Sequence, residues 1–101
     1  SDLSQLQKLY DGIEEMHTEI CEGIRLDLGR GHWNTYVSEI NHVKSEIAHS
    51  IAKIKEWVKD VAVDTHIGCG PAWSFIRPEP LGTVLVMSSW NFPLFTLLGP
   101  A

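Results

Sequence analysis

The clearest candidate for chemistry is Asn91, in the run Ser89-Trp90-Asn91-Phe92-Pro93. It follows an apolar segment with the character of a strand, and ligands of open α/β sheets gather beyond the carboxyl ends of such strands. An asparagine amide donates hydrogen bonds without changing charge, so it can stabilise an oxyanion. The same residue can cap the helix that follows it. Position alone leaves the two roles equally open.

The cysteines and histidines offer weaker chemistry. Cys21 lies in a helical pattern with no histidine beside it, which favours a small buried or half-buried thiol over a nucleophile. Cys69 has His66 three residues before it, but two ligands do not make a metal site. His42 and His49 are two helical turns apart, roughly 10 Å, too far to share one ion. The sequence therefore predicts no metal centre.

The N-terminal part of the chain is predicted to be helical. Apolar side chains recur at three- and four-residue steps over residues 3–28, which predicts an amphipathic helix. Gly12 and Gly23 are expected to weaken it and divide it in two. Gly29 and Gly31 are expected to bracket its end.

A second, longer amphipathic helix is predicted over residues 34–59. Its apolar stripe comprises Tyr36, Ile40, Val43, Ile47, Ile51, Ile54 and Val58. Its polar surface is assigned to charged side chains that include Glu39, Lys44, Glu46, Lys53, Lys55 and Glu56. The pattern is typical of a helix packed on another surface.

Helical patterning then gives way to short extended runs. Residues 61–63 and 72–77 have strand character and flank a Gly/Pro turn, so they predict a hairpin-like segment. Pro78 and Pro80 keep the next stretch extended and out of a central strand.

Residues 83–87 are apolar on both faces and rich in β-branched side chains, as in a strand buried within a parallel sheet. Pro93 suits the first turn of a helix over residues 94–98. Strand, loop and helix start would open a βαβ unit. No other segment could supply the neighbouring strands, so the chain is interpreted as an incomplete α/β fold. Its expected parts are a helical segment 1–60, an extended or hairpin segment 61–80, and the truncated start of an α/β domain, 81–101.

Composition narrows the classes of function. A formal net charge of −5 over 101 residues argues against a nucleic-acid surface or a polybasic membrane anchor. Two cysteines outside a disulfide framework, and a charged N-terminus unlike a secretory signal, favour the cytoplasm. Residues 81–101 carry no charge, but Asn91 and Pro93 near their centre make a membrane span the weaker interpretation.

Residues 80–93, PLGTVLVMSSWNFP, resemble the segment that opens the cofactor domain of the aldehyde dehydrogenase superfamily. The pattern there is Pro-Leu/Val-Gly-Val, an apolar strand, then Trp-Asn-Phe/Tyr-Pro. The upstream part resembles the helical N-terminus of the class-3, fatty aldehyde dehydrogenase-like type. The runs that match it are Ile24-Arg25-Leu26-Asp27-Leu28-Gly29, Val37-Ser38-Glu39-Ile40, Glu46-Ile47 and Glu56-Trp57. The resemblance covers essentially the whole chain, as an N-terminal fragment.

The resemblance implies a Rossmann-like domain that binds NAD or NADP. It also implies oxidation of medium- or long-chain aliphatic, or aromatic, aldehydes to carboxylic acids through a thiohemiacetal on a cysteine. In the family that cysteine and the general-base glutamate lie downstream, so this fragment alone is expected to be inactive. The complete enzyme is expected to be a cytoplasmic homodimer; membrane association of the full-length protein stays open.

The resemblance also assigns roles to residues. Asn91 matches the family asparagine that holds the oxyanion together with the backbone N–H of the catalytic cysteine. The residues that match the cofactor cleft are Met87, Ser88, Ser89 and Trp90, and those that match the mouth of the aldehyde tunnel are Phe92 and Phe95. Where relatives often have Gly-Ala or Gly-Thr, this chain has Ser88-Ser89, whose hydroxyls could alter a contact to the cofactor.

Two other classes of function stay open at this point. The helix over residues 34–59 could act as an interaction module through the stripe that contains Ile40, Ile47 and Ile54, with no affinity for nucleotides. Less favoured is a membrane-associated segment over residues 81–101.

Overall fold

Helices dominate the chain in the computed structural model, which describes residues 2–101. The helices are α1, Asp2–Glu15; α2, His17–Leu28; α3, His32–Thr35; α4, Asn41–Trp57; and α5, Pro93–Leu98. The strands are β1, Val61–Val63, and β2, Ser74–Ile76. None of the helices in this described part is long and apolar enough to span a membrane.

The predicted N-terminal helix forms, but it divides at Met16 and not at a glycine. Gly12 lies inside α1 and Gly23 inside α2, so the expected break at these residues is wrong. The His17 ring nitrogen Nδ1 lies 2.8 Å from the Glu14 carbonyl oxygen, which a regular helix would pair with the backbone of residue 18. Gly29 ends α2 in the left-handed region at φ 67°, which confirms the predicted helix end.

The predicted second helix is confirmed in outline, because helical structure continues from His32 to Trp57. Between α3 and α4, however, the segment Tyr36–Ile40 winds as a π-helix. Thr35, Glu39 and Ile40 are fully buried there. The assignment of Glu39 to the polar surface is therefore wrong, since its side chain lies on the buried face of this turn.

The core lies among α1, α2, the π-helical turn and α4. Its buried members are Ile13, Cys21, Ile40, Val43 and Ile47. Leu94 and Leu98 pack against it from α5, so the helix predicted at Pro93 is confirmed and is tied to the helical part of the chain. Because Ile40 and Ile47 are buried in this core, most of the stripe proposed for a partner is already covered.

The predicted hairpin is confirmed. β1 and β2 pair antiparallel, with Val61 opposite Ile76 and Val63 opposite Ser74. Just outside the strands, the Arg77 guanidinium donates two hydrogen bonds to the Asp60 carboxylate, at 2.9 and 2.7 Å.

Residues 83–87 form no strand. In the sheet described among residues 2–101, β1 and β2 pair only with each other, so residues 83–87 have no ladder partner. The architecture is thus mostly helical with a two-stranded antiparallel sheet, and a Rossmann-like arrangement is not confirmed. The chain divides into two compact units, residues up to Ala52 with Leu85–Ala101, and Lys53–Val84.

One ion pair on α2 predicts a pH dependence of stability. Hydrogen bonds from Arg25 and then from His32 lower the pKa of Glu22 from its usual 4.5 to about 2. Because the folded pKa is depressed, the stabilisation is present above pH 4.5 and is lost as the pH falls towards 2. We expect Glu22→Gln to reduce the loss of thermal stability between pH 5 and pH 2, by a small amount since the pair is exposed.

The measurement is the unfolding temperature of the chain across this range, with Glu19→Gln on the same helix as control. Equal slopes for Glu22→Gln and the wild type would contradict the role given to this pair.

Candidate functional site

Asn91 lies in an exposed turn directly before α5. The Ser89 hydroxyl donates a hydrogen bond of 2.5 Å to the amide oxygen Oδ1 of Asn91. With Oδ1 engaged, the amide nitrogen Nδ2 keeps both of its N–H donors, and no acceptor within residues 2–101 is bonded to it. The turn therefore presents two amide donors to solvent.

Asn91 does not cap the helix that follows it. The residue at the cap position of α5 is Phe92, and it makes no side-chain capping bond. The first backbone N–H groups of the helix donate instead to Glu39. Its Oε2 accepts from Leu94 at 2.8 Å and from Phe95 at 3.3 Å. Of the two roles that the sequence left open for Asn91, the capping role is thus taken by another residue.

Arg30 connects Glu39 to this turn. One guanidinium nitrogen, Nη1, is paired with Glu39 Oε1, and the other, Nη2, donates to the backbone carbonyl of Asn91 at 2.5 Å. The guanidinium carbon also lies 4.8 Å from the centre of the Phe92 ring. The Arg30 side chain is 16% exposed and that of Glu39 0%, so the pair is largely removed from water.

Arg30 and Glu39 were not predicted as site residues from the sequence. One signal for Glu39 was available: it lies three residues after Tyr36 and four before Val43, which places it on the apolar face of the helix. A lone acid on such a face needs a buried partner. Nothing local identified Arg30 as that partner.

The residues expected to contact the cofactor are exposed. Met87 and Trp90 are 84% and 81% exposed, and Ser88 and Ser89 beside them are exposed as well. The four are consecutive and lead directly into Asn91. They present exposed apolar surface and exposed serine hydroxyls at this position.

The two residues expected at a substrate tunnel share a pocket. Phe92 and Phe95 line an open, mainly apolar pocket of about 350 Å³ together with Ser38 and His42. The His42 ring meets that of Phe95 edge to face, with centroids 5.6 Å apart. Both phenylalanines therefore border an apolar space beside the Asn91 turn.

The two cysteines have opposite environments. Cys21 is buried and Cys69 is exposed, and neither forms a disulfide. Burial raises the pKa of the Cys21 thiol, which disfavours its thiolate.

His66 Nδ1 accepts from the backbone N–H of Gly68 at 3.0 Å. No three His, Cys, Asp or Glu side chains cluster as metal ligands in the described part of the chain.

This difference predicts selective labelling of Cys69. In the folded chain, a maleimide at neutral pH is expected to modify Cys69 much faster than Cys21, because only an accessible thiolate reacts. Mass spectrometry of peptides after timed labelling gives both rates. Cys69→Ser should abolish the fast phase, and equal rates at the two cysteines would show that the core around Cys21 opens freely.

Comparison with known proteins identifies the family. The family model described as "Aldehyde dehydrogenase family" matches residues 3–101. The chain belongs to the aldehyde dehydrogenase family. The resemblance seen in the sequence is thereby confirmed.

Several members of the aldehyde dehydrogenase family are similar along almost the whole chain. The dog protein "Aldehyde dehydrogenase, dimeric NADP-preferring" is 32% identical over 97% of this chain. "Aldehyde dehydrogenase family 3 member I1, chloroplastic" of Arabidopsis thaliana is 35% identical, also over 97%. A solved structure, "Substrate bound state of Staphylococcus Aureus AldH", superposes with a TM-score of 0.91 at 33% identity over 97% of the chain.

The chain spans only about a fifth of the length of these proteins, 22% of the dog relative and 21% of the staphylococcal structure. Its described fold thus matches one part of an aldehyde dehydrogenase.

Proposed function

We propose that this chain is the N-terminal part of an NAD(P)+-dependent aldehyde dehydrogenase that oxidises aldehydes to carboxylic acids. In this proposal Asn91 donates a hydrogen bond to the oxyanion that forms when a cysteine thiolate adds to the aldehyde carbon. One observation carries the proposal: Asn91 Oδ1 accepts a hydrogen bond from the Ser89 hydroxyl, while Asn91 Nδ2 has no hydrogen-bond acceptor within residues 2–101. Family membership supplies the reaction class.

The contribution of Asn91 is electrostatic. As the carbonyl carbon becomes tetrahedral, its oxygen gains negative charge, and an amide donor that is already oriented stabilises this charge more than that of the planar aldehyde. The Ser89 hydroxyl keeps the amide from rotating. The second oxyanion donor, the nucleophilic cysteine and the general base are expected in the part of the protein that follows, so this chain alone is proposed to be inactive.

The exposed run Met87-Ser88-Ser89-Trp90 is proposed to contact NAD or NADP, which when bound supplies the hydride acceptor. Residues 83–87 would then pair within a Rossmann-like sheet of the complete protein, which would cover the side chains of Val84, Leu85 and Met87 that are exposed in this part. The dog relative is named dimeric and NADP-preferring, and we propose a homodimer for this protein too. A cytoplasmic location remains a prediction.

The aldehyde itself is proposed to be medium- or long-chain aliphatic, or aromatic. Phe92 and Phe95 border the apolar pocket next to the Asn91 turn, and such a lining favours apolar chains or rings. A Staphylococcus aureus relative, 33% identical over 95% of this chain, is named 4,4'-diaponeurosporen-aldehyde dehydrogenase.

The test is turnover by the full-length protein that contains this chain. NAD+ or NADP+ is supplied with a series of aldehydes of increasing length and with benzaldehyde, and reduction of the nicotinamide is followed by absorbance. Turnover that rises with apolar chain length supports the proposal, with the 101-residue chain as the inactive control. Absence of turnover with every aldehyde and both cofactors would overturn it.

A further inference from the structure

We infer that Arg30 and Glu39 form a positioning pair that holds Asn91 in its donor geometry. The inference rests on the proposed function, because it concerns the placement of the proposed oxyanion donor. Both act through other residues: Arg30 contacts the backbone carbonyl of Asn91 and the ring of Phe92, and Glu39 contacts the backbone of Leu94 and Phe95. They are therefore positioning residues and not catalytic ones.

Glu39 is fully buried. A carboxylate with no exposure to water is unfavourable unless it is paired and its oxygens accept hydrogen bonds. Glu39 meets this need with Arg30 on Oε1 and with the backbone N–H groups of Leu94 and Phe95 on Oε2. Apolar residues in place of a buried ion pair are often neutral or stabilising, so stability alone does not explain an acid here.

The hydrogen bonds of the Arg30–Glu39 pair end on the backbone at and after Asn91. Arg30 Nη2 holds the carbonyl of Asn91 itself, and Glu39 holds the N–H groups of Leu94 and Phe95, three and four residues further on. The guanidinium also packs on the ring of Phe92, the residue between them. Both contacts of the pair thus end on backbone that flanks the Asn91 side chain.

Displacement of Asn91 would weaken its action as an oxyanion donor. An oxyanion donor acts only when its N–H lies within hydrogen-bond distance of the developing charge, and misplacement by 1 Å can lower a rate by up to about 100-fold. Within the turn, the Asn91 side chain is held by one hydrogen bond, which the Ser89 hydroxyl donates. The pair supplies the connection from this exposed turn to the buried core.

The deciding variant is Arg30→Lys in the full-length protein. Lysine keeps the positive charge next to Glu39, but a single flexible ammonium does not reproduce the planar fork that reaches two acceptors at once. We expect kcat to fall about tenfold, with the KM for the cofactor and the unfolding temperature little changed. Arg25→Lys is the matched control, because Arg25 also forms a two-pronged pair, with Glu22, on an exposed face of α2.

Glu39→Gln is the second variant, and it acts on the other side of the pair. A Gln amide places its NH2 group either against the guanidinium or against the backbone N–H groups, so one set of bonds is lost. We expect a larger loss of kcat than with Arg30→Lys. If Glu39→Gln does not yield folded protein, Arg30→Lys alone decides.

Coupling to Asn91 separates positioning from general destabilisation. If the pair acts through Asn91, Arg30→Lys should lower kcat in the wild-type background and have little further effect in an Asn91→Ala background, as contacts in one network are non-additive. Equal losses in both backgrounds, or a wild-type kcat for Arg30→Lys, would overturn the inference and leave the proposed function standing. A wild-type enzyme that oxidises no aldehyde overturns the proposed function, and the inference with it.

Discussion

Replacement of Asn91 by alanine is expected to lower kcat of the full-length enzyme by roughly 10²–10³, the usual cost of one oxyanion donor. The variant removes both Nδ2 donors from an exposed turn, and Asn91 makes no capping bond to α5. The loss should therefore appear in turnover and not in stability. Because the donor acts more strongly in the transition state than in the ground state, kcat should change more than KM.

Two further variants sharpen this experiment. Ser89→Ala removes the hydroxyl that holds Oδ1 of Asn91 but leaves the donors, so a smaller loss than that of Asn91→Ala is expected. Asn41→Ala, at an exposed residue at the start of α4, should leave turnover unchanged. If Asn91→Ala keeps wild-type turnover while acylation is shown to be rate-limiting, Asn91 is not the oxyanion donor.

The elements that could be predicted from the sequence are those fixed by local patterns. Apolar periodicity predicted the helical segments, and the proline at residue 93 predicted the start of α5. Gly29 was recognised as a helix end because few other residues tolerate its left-handed backbone. Each of these signals lies within one or two turns of the chain.

The sequence did not predict the features that depend on distant contacts. Glu39 is buried in the π-helical turn, and the backbone N–H groups that donate to it lie 55 and 56 residues further along the chain. Residues 83–87 have the composition of a buried strand, but composition does not supply the neighbouring strand that ladder bonds need. A pattern therefore indicates what a segment can form, and its contacts decide what it does form.

In the candidate site too, local patterns predicted some features, and distant contacts determined the others. Asn91 was found because a polar residue after a strand-like run suggests a ligand position, and the family resemblance gave it a role. Whether it would cap α5 depended on which other acceptor reached the start of that helix. Glu39 is that acceptor, and although its spacing from Tyr36 and Val43 places it on the apolar face, the sequence does not show which backbone groups it reaches.

The largest effect on stability is expected from Ile40→Ala. Ile40 is fully buried in the π-helical turn and belongs to the core cluster. Truncation of a buried isoleucine to alanine removes three carbons and leaves a cavity, which typically costs 2–5 kcal/mol. Since a small domain is stable by only about 5–15 kcal/mol, this variant is expected to lose a large fraction of its free energy of unfolding.

Urea denaturation gives the free energies of unfolding of the variant and the wild type, and the slope of the transition should be the same for both. Val37→Ala is the matched control because Val37 lies in the same π-helical turn but is 41% exposed. Ile40→Val should cost only about 0.5–1.5 kcal/mol, since one methylene is removed. If Ile40→Ala were no more destabilising than Val37→Ala, the π-helical turn would not be packed on the core. The burial of Glu39, which directly precedes Ile40, would then lose its structural basis as well.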